Sequence, residues 1–263
     1  MIQRTQLLIE LARPASKICA YHFSNKPKTW NKKDSSPVTE ADIAVNDLFI
    51  DAISENFPDD GILSEETLDS SIRQNTEYVW VIDPIDGTSE FIRGSKEHCI
   101  MVCLLHKNQP VFSLIAIPQE NQFFYGGPGQ GVYIEAIDSS FSKVKINYQN
   151  LNDNIVLLSR SHGDPSILGF INQEKLTGIP CGSAGVKVCR ILTGKGAHYI
   201  HLSRIAEWDT AAPDCLMRAL GINMVDINGE TLTYNKTEPK QNGLIATMDD
   251  ELRSKAIAYF STK

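Results

Sequence analysis

Three features are scarce or missing in the sequence: positive charge, closely spaced cysteines and long apolar runs. The 263 residues include 25 Lys and Arg against 32 Asp and Glu, which gives a formal net charge of −7. Because polyanions are bound through clustered positive charge, this balance argues against a nucleic acid polymer or an anionic membrane as a partner. An anionic small molecule would need local help, such as a metal ion.

The N-terminal segment, residues 1–17, has only a short apolar stretch, which Glu10 and Arg13 interrupt. It is too short and too charged for a signal peptide or a membrane-spanning helix, so we expect a cytoplasmic protein. The six cysteines form no C-x-x-C pair. We expect them to be reduced and mostly buried, instead of bonded in disulfides or to zinc.

The apolar pattern divides the chain into helices and strands. Apolar residues recur at helical spacing between Ala41 and Ile53, and Thr39 with Asp42 three residues later marks the start of that helix. Strand-like apolar runs follow at 79–82, 99–105, 111–117, 123–125 and 155–159. Helical patterns at 164–175, 184–193, 210–220 and 249–260 alternate with short strand patterns at 197–201, 224–227 and 244–247.

This order of elements predicts an α/β (α+β) protein of two packed lobes, without a low-complexity linker between them. Residues 1–150 would form an α+β lobe with a large, mostly antiparallel sheet. Residues 151–263 would form an α/β lobe with loops that bind the substrate. We expect the functional cleft between the two lobes.

The segment VWVIDPIDGTSEF, residues 79–91, ends an apolar strand with two aspartates, Asp83 and Asp86. Pro84 restricts one φ angle and Gly87 permits a sharp turn, which brings backbone amides close to the same point. Two adjacent carboxylates repel each other unless a cation compensates them, and a hard divalent ion such as Mg²⁺ takes oxygen ligands. The alternative is a strand-to-helix turn in which Asp86 caps the helix.

Two further acidic segments are candidates for the same site. Glu65 and Glu66 end a short apolar run, although such a pair alone is also typical of a solvated loop. Asp209, in AEWDTAAPDCL, stands where a helix N-cap is expected, with Pro213 in the first turn. Neither segment by itself separates a metal ligand from a structural role.

Four segments together resemble a known family: SPVTEAD, SEE, DPIDGTSEF and EWDTAAPD, in this order. They are similar to motifs of the lithium-sensitive, magnesium-dependent phosphatase superfamily. Its members include inositol monophosphatases, fructose-1,6-bisphosphatases and 3′(2′),5′-bisphosphate nucleotidases. The resemblance covers most of the chain, and it implies the layered α-β-α-β-α sandwich of that superfamily.

The resemblance also implies roles for single residues. The implied metal ligands are Glu65, Asp83, Asp86, Asp209 and the backbone carbonyl of Ile85, with Glu66 behind them, around two or three Mg²⁺ ions. Most of these ligands fall in the first lobe. Asp42 and Thr88 would be catalytic, with the carboxylate orienting a threonine hydroxyl that relays a proton. The backbone amides of Gly87 and Thr88 would bind phosphate oxygens.

Three other stretches resemble the bisphosphate nucleotidase branch: Ser89-Glu90-Phe91, the SRSH segment at 159–162, and the glycine-rich segment at 182–187. The substrate-binding residues implied are Gly87, Thr88, Ser159, His162, Gly182, Ser183, Lys187 and Asp209. Lys187 would meet a second phosphate as a point charge. His162 would stack on the nucleotide or form a hydrogen bond to it.

Two departures from the family pattern affect the choice of branch. The 182–187 loop is one residue longer than in the CysQ-type branch, and closer to animal-type nucleotidases. Leu202 stands where inositol phosphatases place an acid, which argues against an inositol substrate.

The expected activity is therefore the magnesium-dependent, lithium-sensitive removal of the 3′-phosphate of adenosine 3′,5′-bisphosphate, leaving AMP. The expected partner is this small nucleotide, and the enzyme would act as a monomer or homodimer. Two alternatives remain: an inositol or other sugar-phosphate phosphatase on the same scaffold, and a non-catalytic nucleotide-binding protein.

Overall fold

The computed structural model describes residues 1–136, 144–145, 153–160 and 164–261, with 144–145 described for the backbone alone. The helices in these ranges are α1 (Ile2–Asn25), α2 (Glu40–Asn56), α3 (Thr88–Ile92), α4 (Pro165–Gln173), α5 (Ala184–Leu192), α6 (Glu207–Arg218) and α7 (Asp250–Phe260). The strands are β1 (Thr29–Asn31), β2 (Pro37–Thr39), β3 (Gly61–Ser64), β4 (Tyr78–Asp86), β5 (Cys99–His106), β6 (Gln109–Ile117), β7 (Gln122–Gly127), β8 (Gly131–Ala136), β9 (Val144–Lys145), β10 (Ile155–Ser159), β11 (Thr177–Cys181), β12 (His198–Ala206) and β13 (Lys240–Thr247). None of the helices in the described ranges has both the length and the apolar character needed to cross a membrane.

The larger sheet has seven strands in the order β3-β4-β5-β6-β7-β8-β9. β3 and β4 run parallel, and each later pair is antiparallel. In β4, Val79 and Val81 pack into one core, while Trp80 and Ile82 pack into the core on the opposite face. The continuous apolar run VWVI is thus explained by a strand that is buried on both faces.

The smaller sheet has four strands in the order β11-β10-β12-β13. β10 is parallel to both β11 and β12, and β12 is antiparallel to β13. The connections that follow β10 and β11 each contain a helix, α4 and α5, as parallel neighbours require. A separate antiparallel pair is formed by β1 and β2.

Three hydrophobic clusters lie between the layers of helices and sheets and join them. The first, which includes Leu8 and Phe49, joins α1 and α2 to one face of the larger sheet. The second, which includes Val188 and Met217, places α5 and α6 between the two sheets. The third, which includes Phe170, joins α4 and α7 to the outer face of the smaller sheet. This is an α-β-α-β-α sandwich, so the expected fold class is confirmed.

The middle cluster contains residues from both sides of residue 150, such as Val81 and Leu244. Both halves of the chain therefore contribute to one hydrophobic core between the two sheets. The division into lobes 1–150 and 151–263 stays a prediction.

Within the described ranges, one expected strand is missing, and one long helix was not expected. The strand expected at 224–227 is reduced to isolated bridges from Val225 to Thr231 and Ile245. Asp226 accepts hydrogen bonds from the backbone of Asn228 and Glu230, and this local turn replaces a strand ladder. The helix α1 is not anticipated by the pattern analysis, because charged residues interrupt its apolar positions and it contains Pro14.

One buried histidine links α1 to the rest of the first core. His98 has no exposed surface and lies against the rings of Phe23 and Phe91, with Nδ1 2.9 Å from the carbonyl oxygen of Ser95. Its Nε2 has no hydrogen-bond partner among the described residues. Burial lowers the pKa of His98 to about 4, because charging the ring would remove an ion from water.

We expect His98 to make the free energy of unfolding dependent on pH. Its pKa is lower in the folded chain than the unfolded value of about 6.5, so the unfolded chain binds the extra proton first. The contribution is complete above about pH 6.5 and is lost as the pH falls towards 4, by about 3 kcal/mol. Denaturant unfolding of the wild type and His98→Asn should give a stability difference that narrows over this window, and a pH-independent difference would contradict it.

Candidate active site

The acids at the C-terminal ends of β3 and β4 meet because neighbouring parallel strands end at the same edge of a sheet. Ser64, the last residue of β3, is in register with Ile82 of β4, and the backbone N–H of Glu65 donates to the Ile82 carbonyl oxygen at 3.2 Å. The next residue of β4 is Asp83. Two acids distant in sequence are thus carried to one edge by strand pairing.

β4 continues beyond the VWVI run as far as Asp86, with an irregular register against β5 between Asp83 and Asp86. This irregularity re-aims the strand, as bulges near functional sites commonly do. Gly87 then turns the chain into α3 with a φ of 91°, where an L side chain is strained, and a Cβ there would lie 3.2 Å from the Glu97 carbonyl oxygen. The turn after DPID therefore requires glycine.

Asp83, Asp86 and Asp209 form a carboxylate cluster, in which one oxygen of each lies within 4.8 Å of the others. Asp83 is buried, and neither of its oxygens accepts a hydrogen bond from any residue in the described ranges. Buried carboxylates without donors are rare because desolvation is costly. A cation with oxygen ligands is the group that fits this donor set.

The electrostatics of the cluster agree with this geometry. Burial, and then the charges of Glu65 and Asp86, raise the pKa of Asp83 well above its usual range. Burial, Asp86 and Glu65 likewise raise the pKa of Asp209. Each carboxylate is costly to ionise beside its neighbours, so a proton or a metal ion must offset the repulsion. Asp83 and Asp209 are close enough to share a hydrogen bond if one of them is protonated.

Asp209 reaches the cluster from the first turn of α6. The helix begins at Glu207, two residues before the N-cap position that the sequence suggests for Asp209. The Asp209 Oδ2 atom accepts the backbone N–H of Ala206 at 3.1 Å, so the side chain caps the helix from inside the first turn. Pro213 consequently lies within the helix instead of its first turn, and cannot donate to the Asp209 carbonyl.

Glu65 and Glu66 are not a free solvated pair. The ammonium of Lys32 lies 2.7 Å from Glu65 Oε1 and 2.6 Å from Glu66 Oε1. Burial and the nearby charge of Glu65 raise the pKa of Glu66 to about 7, although a hydrogen bond from Lys32 opposes the rise. Burial also raises the pKa of Glu65, against the Lys32 charge, and Asp42 and Asp86 raise it further. Glu65 therefore lies within the electrostatic reach of the carboxylate cluster, although it is outside the group of three.

Thr88 and Asp42 are in direct contact. The Thr88 hydroxyl lies 3.0 Å from Asp42 Oδ1 and 3.1 Å from the Ile85 carbonyl oxygen. The other carboxylate oxygen of Asp42 accepts the backbone N–H of Thr39 at 2.8 Å and its hydroxyl at 2.6 Å. Asp42 thus caps α2 and also accepts from Thr88, so the two roles considered for this residue are compatible. Burial raises the pKa of Asp42, and the Thr39 hydrogen bonds oppose that rise.

Asp86 is held by the N-terminus of α5. Its Oδ2 atom accepts the Ser183 hydroxyl at 2.5 Å and the backbone N–H of Gly185 at 2.7 Å. The Ser183 hydroxyl oxygen also accepts the backbone N–H of Val186, which caps the helix. Ser183 has a φ of 53°, a conformation that non-glycine residues rarely adopt and that these bonds stabilise. The acid cluster and the glycine-rich loop are therefore one connected structure.

These residues surround a cleft of about 390 Å³. Sequence-predicted residues that line it are Glu65, Ile85, Asp86, Gly87, Thr88, Ser159, Gly182, Ser183, Lys187 and Asp209. Asp42, Asp83 and Glu66 are not among the lining residues. His162 falls outside the described residues.

Lys187, which the sequence analysis expects to meet a phosphate as a point charge, is buried and not exposed at the rim of the cleft. Only 2% of the residue is exposed, its Nζ donates to the Ser183 carbonyl oxygen at 2.9 Å, and the ammonium lies 4.7 Å from the centre of the Tyr199 ring. Burial lowers the pKa of Lys187, and the charge of Asp86 opposes that shift. An anionic group beside Lys187 would stabilise the protonated ammonium in place of the solvation that it loses on burial.

The sequence reasoning did not identify Lys32 or Tyr199 as part of the site. Lys32 lies between β1 and β2, in a polar stretch where the sequence pattern contains no signal for a buried cation. Tyr199 is a buried strand residue and resembles any core aromatic until its ring is seen beside Lys187. Both become visible only once distant segments are placed together.

The fold and the site can now be compared with known proteins. The model of the inositol monophosphatase family matches residues 2–262. The 3′(2′),5′-bisphosphate nucleotidase CysQ of Aggregatibacter actinomycetemcomitans is 30% identical over 236 residues, which are 89% of this chain and 88% of that protein. The crystal structure of CysQ from Bacteroides thetaiotaomicron has a TM-score of 0.79 at 25% identity, covering 94% of this chain and 98% of that one.

A more distant structure extends the likeness of the fold. An IMPase/NADP phosphatase in complex with Mg²⁺ and phosphate has a TM-score of 0.83 at 17% identity, covering 99% of this chain and 96% of that one. The family match spans nearly all of the sequence, and the curated relative agrees with it over almost the same length. The chain belongs to the inositol monophosphatase family and is a phosphatase.

Proposed function

We propose that this protein is a magnesium-dependent 3′(2′),5′-bisphosphate nucleotidase that removes the 3′-phosphate of adenosine 3′,5′-bisphosphate to leave AMP and phosphate. The observation that carries the chemistry is the cluster of Asp83, Asp86 and Asp209 beside the cleft, with the two buried oxygens of Asp83 lacking donors among the described residues. The choice of substrate is supported by the CysQ relatives.

Asp83, Asp86 and Asp209 would hold the Mg²⁺ ions, with Glu65 and the backbone carbonyl of Ile85 as further ligands and Glu66 behind them. When bound, divalent ions supply positive charge against the transferring phosphoryl group and make an attacking water more acidic. The chain supplies the arrangement: strand pairing holds Glu65 beside Asp83, and α5 holds Asp86 through one oxygen. These bonds use Asp86 Oδ2, and its other oxygen would serve as a metal ligand.

Thr88 and Asp42 would move the proton of the attacking water. Because the Thr88 hydroxyl can donate to Asp42 Oδ1, its oxygen lone pairs are available to accept a proton from a neighbouring water. Burial raises the pKa of Asp42, which makes the carboxylate a better proton acceptor than a solvated one. The two residues form a relay, and no covalent enzyme intermediate is required.

The phosphoryl group would lie beside the backbone amides of Gly87 and Thr88, which line the cleft. α3 has only five residues, so these amides act as individual donors and not through a long helix dipole. Lys187, which also lines the cleft, would offset the charge of the second phosphate. Ser159, Gly182, Ser183 and His162 would contact the rest of the nucleotide.

A substrate panel tests the proposed specificity. Phosphate release is measured from adenosine 3′,5′-bisphosphate, inositol 1-phosphate and fructose 1,6-bisphosphate, with Mg²⁺ and then with added Li⁺. We expect kcat/KM for the nucleotide to exceed that of inositol 1-phosphate by at least about 100-fold, since inositol 1-phosphate has no second phosphate to meet Lys187. We also expect Li⁺ to inhibit the reaction.

A preference for inositol 1-phosphate would overturn the choice of branch and keep the phosphatase. Binding of the nucleotide without release of phosphate from any ester would favour a binding protein. In that case the acid cluster would be structural.

Asp83→Asn should separate the metal role of this residue from a structural one. Replacing a buried carboxylate without donors by a neutral amide relieves repulsion, so the melting temperature without metal should stay the same or rise. The rise in melting temperature that Mg²⁺ gives the wild type should be lost, because ligand-linked stabilisation needs the intact site. Turnover should fall by about 1,000-fold or more.

The control for this variant is Asp51→Asn, at an exposed position of α2. It should keep both the Mg²⁺-dependent stabilisation and the turnover. If Asp83→Asn still gained the full stabilisation from Mg²⁺, the carboxylate cluster would not be the metal site.

Thr88 variants test the proton relay. Thr88→Ser keeps a hydroxyl beside Asp42 and should retain turnover within about tenfold, whereas Thr88→Val should lose about 100-fold to 10,000-fold in kcat. Combining Thr88→Val with Asp42→Asn should add little further loss in kcat, because both changes interrupt one relay. Equal kcat values for the Ser and Val variants would show that the hydroxyl has no chemical role.

A further inference from the structure

Arg160 bridges two acids at the rim of the cleft. It follows Ser159, the last residue of β10, and its Nη1 atom lies 3.0 Å from Glu90 Oε2 and 2.7 Å from Glu97 Oε2. Glu90 belongs to α3, and Glu97 lies in the segment between α3 and β5. The ion pairs therefore connect the end of the smaller sheet to the segment that follows the DPIDGT motif.

The same Glu97 oxygen also holds the glycine-rich loop. Glu97 Oε2 accepts the backbone N–H of Gly182 at 2.8 Å. A Cβ added at Gly182 would lie 2.7 Å from the Glu97 carbonyl oxygen and 2.8 Å from Glu90 Cγ. The loop is thus seated directly on the two acids that Arg160 contacts, and glycine is needed for that close approach.

The loop of residues 182–185 is consequently attached at two points. At one end, Gly182 donates to Glu97, and at the other, Ser183 and Gly185 donate to Asp86 in the carboxylate cluster. Glu90 and Glu97 carry like charges, which repel each other unless a cation lies between them. Arg93 lies 3.4 Å from Glu90 Oε1, whereas Arg160 contacts both acids, so the first attachment depends on Arg160 more than the second.

We propose that Arg160 is a positioning residue, which holds Glu97 where its carboxylate accepts the Gly182 N–H and thereby sets the position of the 182–185 loop for the nucleotide. This inference rests on the proposed function for the identity of the nucleotide. The attachment to Asp86 does not include Arg160. The phosphoryl chemistry is therefore retained when Arg160 is removed, and recognition of the nucleoside part is weakened.

Stability is not the main effect of this ion pair. The Arg160 side chain is 38% exposed, and water and salt screen ion pairs at such positions. The layers on either side are already joined by the middle hydrophobic cluster. Removing Arg160 should therefore leave the melting temperature nearly unchanged, which makes loop position and recognition measurable without unfolding.

The experiment compares Arg160→Gln and Arg160→Lys with a matched control, Arg190→Gln. Arg190 is also partly buried and pairs with Glu120, 2.7 Å from its Oε2, but it lies in the last turn of α5, away from the 182–185 loop. Hydrogen exchange is followed in the peptide covering 181–186. KM and kcat are measured for adenosine 3′,5′-bisphosphate and for p-nitrophenyl phosphate, which lacks a nucleoside, and AMP binding is measured by calorimetry.

In Arg160→Gln we expect exchange of the Gly182 amide to rise about tenfold, because its hydrogen bond to a fixed carboxylate is weakened. We expect KM for the bisphosphate and the dissociation constant of AMP to rise about tenfold as well, with kcat within about threefold of the wild type. Turnover of p-nitrophenyl phosphate should be unchanged. Arg160→Lys should give intermediate values, and Arg190→Gln should match the wild type in all of them.

Unchanged exchange at Gly182 in Arg160→Gln overturns the proposal. Equal losses with the nucleotide and with p-nitrophenyl phosphate also overturn it, since the effect would then be on the chemistry as a whole. The exchange measurement needs no substrate. If the wild type failed to hydrolyse the bisphosphate, the proposed function would fail, while exchange would still decide whether Arg160 positions the loop.

Discussion

Repulsion among closely placed carboxylates is the constraint around which this structure is built. Asp83, Asp86 and Asp209 are held within 4.8 Å of one another, at a considerable electrostatic cost, by elements that cannot easily separate them. A strand edge carries the first two, and the first turn of α6 carries the third. The hydrophobic clusters on both faces of the larger sheet supply the rigidity that this requires.

The same constraint explains why structural and chemical roles coincide in single residues. Asp42 caps α2 with one oxygen and accepts from Thr88 with the other. Asp209 caps α6 from inside its first turn, and Asp86 binds the start of α5. In each case one oxygen is used by the fold, and the side chain is thereby fixed in orientation. Precise placement of these carboxylates is obtained from ordinary helix capping.

Connection of the acid cluster to the glycine-rich loop gives the cleft its organisation. The loop contacts Asp86 on one side and Glu97 on the other, and Lys187 follows it one helical turn into α5. Groups that would bind the reacting phosphate and groups that would bind the rest of the substrate therefore share a scaffold. A phosphatase family can vary its substrates by changing the rim of such a cleft while the acids stay in place.

The sequence by itself determined the local elements and the chemical class. Continuous apolar runs such as VWVI predict strands, the Thr39 and Asp42 pattern predicts the start of α2, and the four acidic segments together resemble one family. Each of these signals depends only on residues close together in the sequence, so it can be read without knowing the tertiary structure. The expected N-cap at Asp209 and the expected strand at 224–227 were wrong, because α6 begins at Glu207, three residues before the expected start at 210, and a side-chain turn at Asp226 replaces the strand.

Only the tertiary structure decided which charges meet. Lys32 pairs with Glu65 and Glu66, Tyr199 lies beside Lys187, and Arg160 joins Glu90 to Glu97. None of these pairings has a sequence signature, since each joins residues whose proximity depends on the packing of separate layers. Sequence patterns determine what each segment can form, whereas electrostatic partners follow from where the segments are placed.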